Sequence, residues 1–129
     1  MKRSDFYKLA AEIADWHVAT FPDADESGQE AKYDEEYQEY VESHGDMMEL
    51  ADCFIVAAAL ACRFGSIFGL MMINRIIRNV ADADGELYEA IVAKMAINRE
   101  RTRRGIWRKR GDCWHHEEEG ENENHDNDR

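Results

Sequence analysis

Residues 32–62 read KYDEEYQEYVESHGDMMELADCFIVAAALAC, a stretch with two acidic pairs at helical spacing, Glu36/Glu39 and Glu49/Asp52. Residues three apart on a helix are neighbours, with Cβ atoms roughly 5–6 Å apart. A turn is predicted between the pairs at residues 44–46, so two antiparallel helices can present four carboxylates to one point. Such a cluster repels itself unless a cation lies within it, and hard divalent cations prefer oxygen ligands. The stretch therefore predicts a magnesium site.

The second acidic pair carries most of this inference. Residues 47–62 read MMELADCFIVAAALAC, in which only Glu49 and Asp52 are charged. A helix that is apolar all round is typically buried, and buried charges are costly unless they are paired, protonated or bound to metal. A capping box between Asp46 and Glu49 is the alternative for Glu49, and both roles can coexist. It leaves Asp52 unexplained.

The first acidic pair is weaker evidence when it is taken alone. Its acids share one side of a predicted helix and lie beside a stripe of aromatic and apolar residues. These are Glu35, Glu36, Glu39 and Glu42 beside Tyr33, Tyr37, Tyr40 and Val41. The ordinary alternative is the solvated side of an amphipathic helix.

Composition and charge limit the classes of function. The 129 residues suit one domain, and the net charge of −12 argues against sequence-independent DNA binding. Residues 94–110 nevertheless carry 8 bases and 1 acid, which favours an anionic partner such as a phosphate group. Cys53, Cys62 and Cys113 form no paired motif, which suits a reducing cytoplasm. A zinc site at Cys113, His115 and His116 has too few ligands at the wrong spacing.

The sequence predicts neither a signal peptide nor a membrane-spanning helix. The first 17 residues include acids at positions 5 and 12, so they do not read as a signal peptide. Residues 53–74 contain one charge, Arg63, but it lies in the middle of the run and Gly65 and Gly69 interrupt it. We therefore expect two buried helices that join near Gly65 rather than a membrane span.

Helical periodicity extends along most of the chain, and strand signals are absent, so an all-α bundle of four to five helices is predicted. The expected helices run from a Ser4 cap to about Thr20, then over about 28–43 behind a Ser27 capping box, and over about 46–64, 66–80 and 86–103. The fourth of these is expected to be largely buried. Residues 1–105 form the predicted domain, and 106–129 a basic segment followed by an acidic, disordered tail.

Three motifs follow one another within this predicted domain. They are Lys32-x-x-Glu35-Glu36-x-x-Glu39, Glu49-x-x-Asp52 and Lys94-x-x-x-Asn98. In this order they resemble the MazG-like, all-α nucleoside triphosphate pyrophosphohydrolases over about residues 16–102. The run over residues 94–116 looks like small bacteriophage members, some of which act on dATP and dGTP. One departure is the spacer of nine residues between Glu39 and Glu49, which is shorter than the family's usual spacer. A shorter loop is expected to change the shape of the base pocket and therefore the nucleotide specificity.

The resemblance implies hydrolysis of a (d)NTP, with dATP or dGTP as the expected substrate, to the monophosphate and pyrophosphate. It implies two or more Mg²⁺ or Mn²⁺ ions held by Glu36, Glu39, Glu49 and Asp52, with Glu35 as a proton acceptor or a further ligand. The substrate-binding residues that it implies are Lys32, Lys94, Asn98, Arg101 and, for base stacking, Trp16. Simpler alternatives are a surface ion pair between Lys32 and Glu36, a solvated helix face for Arg101, and a core position for Trp16.

The resemblance also implies a homodimer or homotetramer with the active site near an interface, a cytoplasmic location, and neither stable nucleic-acid binding nor a membrane. Two other classes compete with the enzyme. One is a non-enzymatic acidic helical interaction protein, such as a nucleic-acid mimic or a phage inhibitor. The other is a di-iron carboxylate bundle, which requires Glu-x-x-His pairs that the core helices lack.

Overall fold

Five α-helices make up most of the computed structural model, which describes residues 1–110 and 113–116. They are α1 (Arg3–Thr20), α2 (Glu26–Glu42), α3 (Met47–Phe64), α4 (Ile67–Asn79) and α5 (Asp84–Arg104). A 3₁₀ turn, Ala81–Ala83, precedes α5, and two strands, β1 (Trp107–Arg110) and β2 (Cys113–His116), follow it. The predicted all-α class is confirmed for the body of the protein. None of the helices in the described part is long and apolar enough to cross a membrane.

Helix α3 is the central element, and α1, α2, α4 and α5 all pack against it. Its residues from Leu50 to Leu60 are buried, apart from Asp52, which is half-buried. The largest side chains around it are Phe6, Ile13, Ile73, Leu87 and Ile91, all of them fully buried. The absence of a polar face on α3 explains this position, because only a helix covered on every side keeps such a sequence out of water.

The turns around α3 form where the sequence predicted them. Asp46 is the N-cap, and its carboxylate accepts a hydrogen bond from the Met48 N–H at 3.1 Å. Gly65 ends the helix with a φ of +67°, a conformation that costs glycine no steric strain. The hairpin of α2 and α3 therefore brings the two acidic motifs together.

The predicted caps of α1 and α2 were wrong. Ser4 lies inside α1, whose N-cap is Lys2, with the Lys2 N–H donating to Asp5 at 3.0 Å. Ser27 lies in the first turn of α2, whose N-cap is Asp25, because the Asp25 carboxylate accepts from the Gly28 N–H at 2.8 Å. In each case an aspartate carboxylate accepts a hydrogen bond from one backbone N–H at the helix start, and the helix begins earlier than predicted.

Helix α4 is less buried than predicted. Ile73, Ile76 and Ile77 face the core, and Gly69 lies against the backbone of α3. The first turns instead expose four large apolar side chains, defined here as the α4 patch. The patch consists of Ile67 (75% exposed), Phe68 (39%), Leu70 (46%) and Met71 (57%). Apolarity alone could not separate these residues from the core residues of the same helix.

A short antiparallel hairpin follows α5, where no strand was predicted. Gly105 ends α5 with a φ of +69°, and Trp107 then pairs with His116 across the two strands. Strand β2 contacts α2. Part of the segment predicted to be basic and irregular is thus ordered against the bundle. The predicted acidic tail, 117–129, lies outside the described residues.

Arg63, at the end of α3 that lies away from the acidic motifs, connects α3 with the end of α1 and, through His17, with the start of α2. Arg63 donates to the Phe21 and Pro22 carbonyl oxygens at 2.9 and 3.1 Å and to His17 Nδ1 at 2.8 Å. The other ring nitrogen of His17, Nε2, lies 3.0 Å from Gln29 Oε1 and donates to it. Burial, with the nearby Arg63 charge, lowers the pKa of His17 to about 4, so the ring is neutral in this network.

Candidate metal centre

Three of the four predicted metal ligands converge where α2 passes α3. One carboxylate oxygen from each of Glu36, Glu49 and Asp52 lies within 4.8 Å of the other two. Glu49 and Asp52 are one turn apart on α3, and Glu36 reaches them from α2. The fourth residue, Glu39, is outside this cluster but is close enough to Glu36 to affect its titration. The antiparallel pair of α2 and α3 therefore brings carboxylates of both motifs to one point, as the sequence predicted.

Burial makes ionisation of this cluster costly. Glu36 is only 4% exposed, and burial raises its pKa to about 7, with a further contribution from Glu39. Burial likewise raises the pKa of Asp52 to about 7, and the Glu36 charge adds to the effect. The Oε1 atom of Glu36 is buried and has no hydrogen-bond partner among the described residues. A buried oxygen of this kind is suited to accept a cation.

Two lysines predicted to bind substrate lie against the carboxylates. Lys94 of α5 contacts Asp52, with Nζ 3.1 Å from Oδ2. Lys32 of α2 has its Nζ 3.4 Å from Glu36 Oε2 and 3.7 Å from Glu35 Oε1. The ion pair of Lys32 with Glu36 that was an alternative from sequence is present, but it is not a surface pair, because the two side chains are 15% and 5% exposed.

Glu35, the predicted proton acceptor, lies at the edge of the site. Its side chain is 46% exposed, in contrast to the buried Glu36 next to it. Its Oε1 atom lies 3.2 Å from Nε2 of His115, which β2 supplies. From the sequence, His115 was predicted only to be a poor zinc ligand. A separation of 80 residues leaves no local pattern from which this contact could have been found.

The remaining predicted substrate-binding residues follow α5 away from the carboxylates. Arg101 Nη1 donates to Asn98 Oδ1 at 3.4 Å, and Asn98 itself is buried. One turn further on, Thr102 Oγ1 accepts from Trp16 Nε1 at 3.2 Å. Thr102 is eight residues beyond Lys94, which corresponds to about 12 Å along a helix.

Trp16 is half-buried in an aromatic cluster at the end of the bundle. Its ring packs edge-on against Phe21 and Trp107, with ring centroids 5.5 and 6.1 Å away. Trp107 also contacts Phe21 at 5.0 Å and donates its Nε1–H to Thr102 at 3.1 Å. The core alternative for Trp16 therefore has direct support from its contacts.

Comparison of the chain with protein families, curated proteins and solved structures gave no match. The likeness to the pyrophosphohydrolases thus rests on the three motifs and their order.

Proposed function

We propose that this protein is a metal-dependent nucleoside triphosphate pyrophosphohydrolase that acts on dATP or dGTP. The observation that carries this proposal is the cluster of the buried Glu36 with the half-buried Glu49 and Asp52, formed by two helices that hold the first two of the three motifs. Burial raises the pKa values of Glu36 and Asp52, which makes these two acids costly to the fold, and such groups are concentrated at functional sites.

The donor set suits Mg²⁺ or Mn²⁺, because all the atoms it offers are carboxylate oxygens. Glu36, Glu49 and Asp52 would hold the first ion, and Glu39, beside Glu36, would contribute to a second. When bound, such ions supply charge neutralisation at the phosphates and a water of lowered pKa. Glu35 would accept the proton of the attacking water, a role for which its exposed position beside the cluster is suited.

The basic groups of α5 would hold the triphosphate. Lys94 and Arg101 are two turns apart on this helix, with Asn98 between them. An ammonium and a guanidinium at this spacing can contact successive phosphate groups, and arginine offers two parallel donors. Base stacking on Trp16 stays a prediction, because its ring already packs against Phe21 and Trp107.

We also propose that the protein is a cytoplasmic homodimer or homotetramer. The α4 patch supports self-association, since contiguous exposed apolar residues mark interaction surfaces more often than isolated ones do. Tyr37 of α2 is 51% exposed, and Tyr33 links it to the patch through contacts with both Tyr37 and Phe68. The free thiol of Cys53, buried in the core, fits a reducing compartment.

Release of monophosphate and pyrophosphate from a panel of dNTPs and NTPs, with Mg²⁺ or Mn²⁺, tests the proposed reaction. Asp52→Ala is compared with Asp34→Ala, which removes an exposed acid from α2. We expect Asp52→Ala to lower kcat/KM by roughly a thousandfold, because metal ligation is worth several kcal/mol in the transition state. Asp34→Ala is expected to retain wild-type activity.

Two results would contradict this function. One is a folded wild-type protein that cleaves no nucleotide in the panel, and the other is equal activity of wild type and Asp52→Ala. Failure to bind Mg²⁺ in a calorimetric titration would support the same conclusion. The acidic interaction protein, which needs no metal, would then be the better explanation of the net charge.

A further inference from the structure

Strand β2 brings a histidine from the far end of the chain to the edge of the carboxylate cluster. His115 is 7% exposed, and its Nε2 lies 3.2 Å from Glu35 Oε1. The hairpin that carries it packs on α2, the helix of Glu35 and Glu36. His115 lies outside the three motifs but within residues 94–116, the run that looks like small bacteriophage members, and that likeness implies no role for it.

The chemistry of the contact determines its direction. An ionised carboxylate only accepts hydrogen bonds, so Nε2–H of His115 is the donor and Glu35 Oε1 the acceptor. Lys32 Nζ lies 3.7 Å from the same oxygen. Both contacts are made to Oε1, so they restrict the rotation of the carboxylate. In this role Oε2 is the oxygen that takes the proton from water.

Glu35 is also close to the cluster. Lys32 Nζ is 3.7 Å from Glu35 Oε1 and 3.4 Å from Glu36 Oε2, so these two oxygens are at most about 7 Å apart. A proton acceptor needs to be within reach of the water that it activates, directly or through one further water. The contact with Lys32 keeps the Glu35 carboxylate near Glu36, and the contact with His115 restricts the side chain to that region.

We propose that His115 is a positioning residue for Glu35, and that strand β2 is thereby a part of the active site. This role rests on the proposed hydrolysis. A hydrogen-bonded partner that orients a carboxylate of an active site affects the rate of the chemical step, whereas a contact that only fastens the hairpin to α2 would change stability alone. The two possibilities therefore differ in their kinetic consequences.

Steady-state kinetics on the nucleotide chosen by the panel distinguish these possibilities. His115→Phe keeps an aromatic ring and removes the donor, and we expect kcat to fall about 10- to 100-fold. KM should change little, because His115 contacts no substrate in this role. His115→Gln, which returns an N–H donor near the position of Nε2, should recover a large part of kcat. In the presence of Glu35→Gln, His115→Phe should cause no further loss, since both changes act on one step.

Histidine ring ¹⁵N spectra of the full chain test the contact without any measurement of activity. Glu35→Gln should move the His115 Nε2 resonance, and Glu30→Gln, which neutralises an exposed acid of the same helix, should not. If the wild type is active and His115→Phe has wild-type kcat, or loses kcat additively with Glu35→Gln, the positioning role is refuted while the proposed hydrolysis stands. If the wild type cleaves no nucleotide, both fail, even where the spectra show the contact. Should His115→Phe not fold, His115→Ala takes its place as the variant without the donor: unchanged kcat in His115→Ala, or an unmoved His115 resonance in Glu35→Gln, refutes the role.

Discussion

Replacement of Asp52 by asparagine should stabilise the fold at pH 8 in the absence of divalent metal. Burial and the Glu36 charge raise the pKa of Asp52 from 3.8 to about 7, even with Lys94 beside it. A difference of about 3 units corresponds to about 4 kcal/mol of free energy that the folded protein loses on ionisation. Glu36 can take up a proton when Asp52 ionises, which lowers this cost. We therefore expect Asp52→Asn to raise the free energy of unfolding by about 2 to 4 kcal/mol.

The sign of this effect depends on pH in a defined way. A carboxyl group with a raised pKa in the folded state contributes its full stability below its unfolded pKa, near pH 4, and this contribution is lost as the pH rises through about 7. The gain from Asp52→Asn should therefore be smaller at pH 5 than at pH 8. Urea unfolding with EDTA at both pH values measures it, and Mg²⁺ should reverse the order by stabilising only the wild type.

Asp34→Asn is the matched control, since it removes an exposed carboxylate and should leave the free energy of unfolding within about 0.5 kcal/mol of the wild type. The reasoning is refuted if Asp52→Asn is less stable than the wild type at pH 8 in EDTA. The ion pair of Asp52 and Lys94 would then be a net stabilising contact, and the acid would need no metal to explain its position.

Two further substitutions test the packing of α4. Gly69→Ala should cost about 1 to 3 kcal/mol, because the new Cβ would lie 2.6 Å from Leu60 Cβ and the helices would have to separate; Gly85→Ala, which meets no atom within 4 Å, should leave the urea midpoint equal or higher. Met71→Glu, in the α4 patch, should reduce the mass measured by light scattering to that of a monomer, whereas Val18→Glu on α1 should not. Equal masses for the wild type and Met71→Glu would place any interface elsewhere.

Much of the helical architecture was predictable because its signals are local. The run from Met47 to Phe64 has no polar face, so its burial at the centre of the bundle follows from its composition. Asp46 and Gly65 mark its ends by side-chain and backbone chemistry that acts within a few residues. The convergence of Glu36 with Glu49 and Asp52 follows from the same local facts, since a short turn makes α2 and α3 antiparallel neighbours.

The hairpin and its contacts were not predictable from the sequence. Residues 107–110 contain three bases after a tryptophan, a pattern that resembles a solvated segment more than a strand. What holds the hairpin in place is distant in sequence: Trp107 packs on Phe21, and His115 contacts Glu35. Contacts between residues that are 80 positions apart depend on the complete fold, which no periodicity records.

The position of Asp52 gives the strongest reason to regard the cluster as functional. Its neighbours on α3 include the fully buried Ala51, Ala57, Ala58 and Ala59, so a small apolar residue at position 52 would be compatible with this helix. An ionised acid there costs several kcal/mol in a protein whose total stability is typically about 5 to 15 kcal/mol. Residues that destabilise the fold are expected at positions where function requires them. A bound cation would offset this cost, and it would leave Lys94 available for a phosphate group, which unites the acidic cluster and the basic face of α5 in a single site.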